Sequence, residues 1–141
     1  MGNFIPLSIP NFEGNEEKYV LDAVKQGWVS TGGAYITELE EKLADFLHVP
    51  AVAACQSGTS ALHLALMECG VQPGDMVIVP SLTFIAAVNP VKYQFADPVF
   101  MDCDDSLCID PVKLRKFCEV ECELQDEGLI YKATGQRIKA L

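Results

Sequence analysis

Ser57-Gly58-Thr59-Ser60 places one glycine among three hydroxyl side chains, between the apolar run Ala51–Cys55 and an apolar segment that starts at Ala61. Where such a stretch passes from a strand into a helix, free backbone N–H groups and the positive helix end gather around a phosphate. Gly58 allows close backbone approach, and the hydroxyls of Thr59 and Ser60 can donate to phosphate oxygens. The same residues also read as an ordinary serine N-cap. The chain has neither the Gly-Lys-Ser/Thr of a Walker loop nor a G-x-G-x-x-G dinucleotide fingerprint.

A second stretch, Pro80-Ser81-Leu82-Thr83-Phe84, follows directly on the apolar run Met76–Pro80. Ligands of open α/β sheets bind beyond the carboxyl ends of parallel strands, and a planar cofactor can stack there on Phe84. Core packing is the alternative for any single phenylalanine. A phosphate cradle and a ring platform at the ends of successive strands together suit a phosphorylated aromatic cofactor.

Other reactive side chains read more plainly. Cys103, Cys108, Cys118 and Cys122 are spaced C-x4-C and C-x3-C, whereas zinc knuckles favour C-x2-C, and no histidine is near. These read as free thiols, and Cys55 and Cys69, inside apolar stretches, read as small buried residues. Asp102, Asp104, Asp105 and Asp110 lack the glycine and terminal glutamate of a calcium hand, so they read as solvated turn carboxylates. No metal is expected. His48 reads as a surface or capping residue and His63 as a residue satisfied within an apolar helix.

Positioning these groups requires alternating strands and helices. Asn15 reads as the N-cap of a helix ending near Gln26, with Gly27 as its stop. After the loop Trp28-Val29-Ser30-Thr31-Gly32-Gly33, the spacing of Ile36, Leu39, Leu43, Phe46 and Leu47 predicts a helix over 35–47. Then follow a strand at Ala51–Cys55, a helix at Ala61–Cys69, a strand at Met76–Pro80 and a helix over Thr83–Tyr93 interrupted by Pro90. A strand at Pro98–Asp102 and a helix over Val112–Cys122, opened by Asp110-Pro111, complete the alternation. Leu129–Lys132 and Gln136–Lys139 flank a turn, as in a β-hairpin. This order predicts an α/β fold with a mainly parallel sheet flanked by helices, and no linker divides the chain. The chain stops at Leu141 while the pattern still reads as a strand, as though cut in mid-fold.

Twenty acidic residues against ten basic ones give a formal net charge of −10 over 141 residues. Such a surface repels a nucleic-acid backbone, although backbone amides can still hold a small nucleotide-linked molecule. No apolar run reaches the roughly 18 residues of a membrane span, and the opening Met1–Pro6 has no secretory character. A cytoplasmic protein is expected.

Gln56–His63, Pro73–Phe84 and Pro98–Asp102, with the opening Ile5–Pro10 and the loop Gly27–Gly33, resemble the DegT/DnrJ/EryC1/StrS aminotransferases over nearly the whole chain. The nearest likeness is to its legionaminic-acid-pathway type. The resemblance implies the amino-terminal portion of the large domain of a fold-type-I pyridoxal-phosphate enzyme, which moves an amino group from glutamate to a nucleotide-linked keto sugar. It implies that Thr59 and Ser60 contact the cofactor phosphate, that Phe84 lies against its ring and that Gly58 is also cofactor-binding. Trp28, Val29, Ser30, Thr31 and Gly58 would border the sugar nucleotide, and the assembly would be a homodimer. The family's Schiff-base lysine and small carboxyl-terminal domain would lie beyond Leu141, so no catalytic residue is assigned and the chain alone is expected to be inactive. Met76 stands where that family usually has glutamate, and Phe95 where it usually has glycine. A non-catalytic remnant and a cofactor-independent α/β binding module are the alternatives.

Overall fold

The computed structural model describes residues 4–141; the first three residues of the opening lie outside it. The chain divides into two compact units, Met1–Ala54 and Cys55–Leu141, although no linker composition marks a boundary in the sequence.

The first unit holds α1 (Glu16–Gln26) and α2 (Ala34–Leu47). Asn15 occupies the cap position of α1, but its side chain makes no cap bond; the Glu16 carboxylate accepts the Gly14 amide at 2.9 Å instead. Gly27 ends α1 in the left-handed conformation at φ 78°, with its N–H on Val24 and that of Trp28 on Ala23. His48 ends α2 in the same way at φ 55°, which fits the expected capping role. Neither helix has a buried residue: Phe46 of α2 is 78% exposed.

The run Ala51–Cys55 is not a strand. A strand persists only within a ladder, and β1 is already flanked on both sides by other strands. The Glu40 carboxylate accepts the Ala54 N–H at 2.8 Å.

The second unit carries a five-stranded sheet in the order β2-β1-β5-β4-β3. Its elements are α3 (Gly58–Glu68), β1 (Met76–Pro80), α4 (Ile85–Tyr93), β2 (Asp97–Met101), α5 (Pro111–Glu121), β3 (Cys122–Gln125), β4 (Gly128–Tyr131) and β5 (Arg137–Ala140). The sheet is mixed. β1 pairs parallel with β2, Met76 opposite Asp97, and with β5, Met76 opposite Ile138. β5, β4 and β3 form an antiparallel meander that contains the expected hairpin.

β1 is buried on both faces, as a central parallel strand must be. Val71, Val77, Val79, Val88, Val91 and Ala96 form the core, with Leu66 of α3 and Ala140 of β5 packed against it. α4 begins at Ile85 instead of Thr83 and keeps Pro90 inside its nine residues. Asp110 caps α5 as expected: its Oδ1 accepts the amides of Val112 at 2.8 Å and Lys113 at 3.1 Å.

Three expectations need correction. Cys122 starts β3 instead of ending α5, because the backbone of Cys122–Gln125 pairs with Gly128–Tyr131. Its buried side chain has its thiol pKa pushed up by desolvation. Cys55 and Cys69 are exposed: one lies in the irregular run before α3 and the other at its carboxyl cap.

Candidate functional site

Ser57 is the N-cap of α3, with extended backbone at φ −156° and ψ 160°. Its Oγ accepts the Ser60 N–H at 3.2 Å and lies 3.1 Å from Ser60 Oγ, while its carbonyl accepts the Ala61 N–H at 3.0 Å. The amides of Gly58 and Thr59, the first two residues of the helix, have no acceptor among the described residues. A Cβ added at Gly58 would meet nothing within 4 Å, so the space beside the Gly58 Cα is open. The first turn of α3 contains no acidic side chain that would occupy the positive helix end. Thr59 is half-buried and Ser60 exposed. This end of α3 therefore offers two amides and two hydroxyls to an anion. Ser57 was not among the expected site residues; the signal available in the sequence was its place three positions before Ser60.

Phe84 follows the carboxyl end of β1 and occupies the cap position of α4. The loop before it is fixed by the Ser81 N–H on the Met101 carbonyl at 2.8 Å, which ties it to the end of β2. Phe84 is 83% exposed, so core packing does not explain it. It is a ring presented to its surroundings from the carboxyl side of the parallel strands. α3 and α4 pack against each other, which places the Gly58–Ser60 turn and Phe84 on neighbouring helices.

The loop Trp28–Thr31 belongs to the other unit. Trp28 is more than half exposed, and Val29, Ser30 and Thr31 are exposed as well. A Cβ at Gly33 would stand 3.1 Å from Trp28 Cβ, and one at Gly32 would stand 3.5 Å from the indole. Side chains from Ala23 to Ile36, Trp28 and Ser30 among them, line a cavity of about 80 Å³ beside this loop. Below it, the Tyr35 hydroxyl donates to Asp22 Oδ2 at 2.6 Å, and Gln26 Nε2 donates to the same oxygen at 2.6 Å. The bond to Asp22, helped by desolvation and the negative charge, pushes the Tyr35 pKa up to about 12. This cross-helix cluster was not expected from the sequence, because helical periodicity does not show which side chains of two helices meet.

Asp104 and Asp110 line an open depression with Cys103, Asp105, Ser106 and Lys113, and Asp102 pairs with Lys113. Among the described residues no group of three or more His, Cys, Asp or Glu side chains is placed to hold a metal ion. His63 is half-buried against Tyr93, ring centroids 5.5 Å apart.

Residues 10–121 match the model of the DegT/DnrJ/EryC1/StrS aminotransferase family, and the chain belongs to that family. β3, β4 and β5 lie beyond the matched range. Among curated proteins, GDP-perosamine synthase of Caulobacter vibrioides is 46% identical over 112 residues, covering 79% of this chain and 30% of that protein. Among solved structures, a DegT DnrJ EryC1 StrS aminotransferase from Brucella abortus is 33% identical, with a TM-score of 0.72, over 88% of this chain and 31% of that one. NtdA of Bacillus subtilis, solved with bound cofactor PMP, is 32% identical with a TM-score of 0.65, over 72% of this chain and 24% of that one. The chain thus spans about 30% of the length of the curated relatives it matches. Among the described residues no helix is long and apolar enough to cross a membrane.

Proposed function

We propose that this chain supplies the phosphate cradle and ring platform of a pyridoxal-phosphate-dependent aminotransferase acting on a nucleotide-linked keto sugar, with glutamate as amino donor. The observation that carries this reading is the start of α3. Two unused amides and open space at Gly58 stand beside the hydroxyls of Thr59 and Ser60, in a chain that belongs to an aminotransferase family.

Pyridoxal phosphate, when bound, supplies the electron sink for moving the amino group. The residues of this chain bind and orient it. Gly58, Thr59 and Ser60 hold its phosphate by backbone and hydroxyl donors without a cationic side chain. Phe84 lies against its ring and fixes the ring plane. In the other unit, Trp28, Val29, Ser30 and Thr31 contact the sugar nucleotide, Ser30 and Thr31 through their hydroxyls. The whole enzyme is a cytoplasmic homodimer in this reading, and the likeness to the legionaminic-acid type belongs to it. Residues 1–141 are the first part of its cofactor-binding domain.

None of the eight lysines (18, 25, 42, 92, 113, 116, 132 and 139) stands in the family's Ser-x-x-Lys context. The chain by itself therefore holds the cofactor weakly and does not transaminate, for want of the covalent anchor and the base for the proton shift. Incubation with glutamate, pyridoxal phosphate and nucleotide keto sugars tests this. No amino sugar should form with the 141-residue chain alone, and turnover would contradict the placement of the catalytic lysine downstream.

A further inference from the structure

We propose that Ser57 is a positioning residue of the phosphate cradle, acting through Ser60; the inference rests on the cofactor reading above and deepens it. Ser57 Oγ accepts the Ser60 N–H at 3.2 Å and stands 3.1 Å from Ser60 Oγ. A serine hydroxyl has one proton and two lone pairs. In the proposed arrangement one lone pair of Ser57 takes the Ser60 amide and, of the two directions open to the hydroxyl pair, the Ser57 proton goes to the Ser60 oxygen. Ser60 then has its own proton free to donate outward, away from the first turn.

Ser57 thereby sorts the donors at this helix end. The Ser60 amide is used internally. The Gly58 and Thr59 amides, which have no acceptor among the described residues, and the Ser60 hydroxyl remain for a phosphate. The open space at Gly58 leaves room for the anion to reach them.

A plain cap and a donor-sorting residue make different demands on position 57. A cap needs only an acceptor, and asparagine, aspartate and serine serve almost equally well. Sorting needs an acceptor and a proton to give. Asparagine has both, in its carbonyl and its NH2 group. Aspartate has no proton to give, draws the Ser60 hydroxyl inward and opposes a phosphate by charge, although it suits the helix dipole.

The test is calorimetric titration of the full chain with 4′-deoxypyridoxine 5′-phosphate, which has no aldehyde to react with lysines, and with its unphosphorylated counterpart. Thermal unfolding is followed on every variant. Wild type and Ser57→Asn should prefer the phosphorylated probe by about tenfold or more, equivalent to about 1.4 kcal/mol. Ser57→Asp should unfold at the same or a higher temperature and lose that preference. Ser57→Ala should weaken the preference in the wild-type background and add nothing in a Ser60→Ala background, because the effect passes through Ser60. Independent losses from Ser57→Ala and Ser60→Ala, or an unchanged preference in Ser57→Asp, would overturn the role of Ser57 and leave the cradle standing. A wild-type chain that does not prefer the phosphorylated probe would overturn the cradle itself.

Discussion

The guanidinium of Arg137 holds the carboxylate of Asp75 by two parallel hydrogen bonds, Nε to Oδ1 at 2.9 Å and Nη2 to Oδ2 at 2.8 Å. Asp75 is 6% exposed and also accepts the Gln72 N–H at 2.8 Å, so the turn before β1 is fastened to the start of β5. Gln136 adds a bond to the Gly74 carbonyl at 3.0 Å and one to Asp97 at 2.9 Å. These bonds gather the amino-terminal ends of β1, β2 and β5, at the opposite end of the parallel strands from Phe84.

Arg137→Leu should therefore cost about 3 kcal/mol in urea unfolding, because it strands a buried carboxylate. Arg137→Lys should cost less, since a charge remains although the two-pronged geometry is lost. A loss below about 0.5 kcal/mol for Arg137→Leu would mean that the pair contributes little.

Acid should open the same fastening. Arg137, above all, holds Asp75 below its ordinary pKa of 3.8. A carboxylate depressed in the folded state stabilises fully above its unfolded pKa and loses that contribution as pH falls toward the folded one. Stability should stay flat in this respect above about pH 5 and decline below about pH 4, and Asp75→Asn should remove that part of the decline.

Tyr35 should titrate late. Its pKa of about 12, against an ordinary 10.0, comes chiefly from the bond to Asp22. A group raised in the folded state contributes stability below its unfolded pKa and loses it as pH climbs through the folded one. Absorbance titration should show one of the four tyrosines ionising near pH 12, and Asp22→Ala should bring it back toward 10. A tyrosine population that titrates identically in both chains would contradict this bond.

Phe95 lies in the left-handed region at φ 55° and is 77% exposed. A bulky side chain there costs about 1–2 kcal/mol of backbone strain and gains little packing. Phe95→Gly should raise stability by about 0.5–1 kcal/mol. Thermal unfolding checks this; a lower midpoint would show that the phenylalanine is held by contacts worth more than the strain.

Much of this arrangement was legible because local chemistry and packing agree. Met76–Pro80 and Pro98–Met101 are short apolar runs that pair in parallel, and Asp110-Pro111 starts a helix by cap and ring geometry alone. β3 was not legible: Cys-Glu-Leu-Gln has no β-branched or aromatic residue and continues the preceding helical pattern, so only its pairing with Gly128–Tyr131 makes it a strand. Ala51–Cys55 failed in the opposite way, being apolar enough for a strand but without a ladder to join. At the candidate site, the glycine and hydroxyl residues could be read from composition. The engagement of Ser57 with Ser60 could not, because a serine before a helix shows its cap geometry only once the helix is built.

The most direct test of the cradle is amide NMR of the full chain, labelled with nitrogen-15 and titrated with pyridoxal 5′-phosphate. The Gly58 and Thr59 N–H signals should move in a saturable manner and to a common end point, with pyridoxal lacking the phosphate leaving them in place. If these two amides do not respond while signals elsewhere do, the start of α3 is not where this chain holds a phosphate.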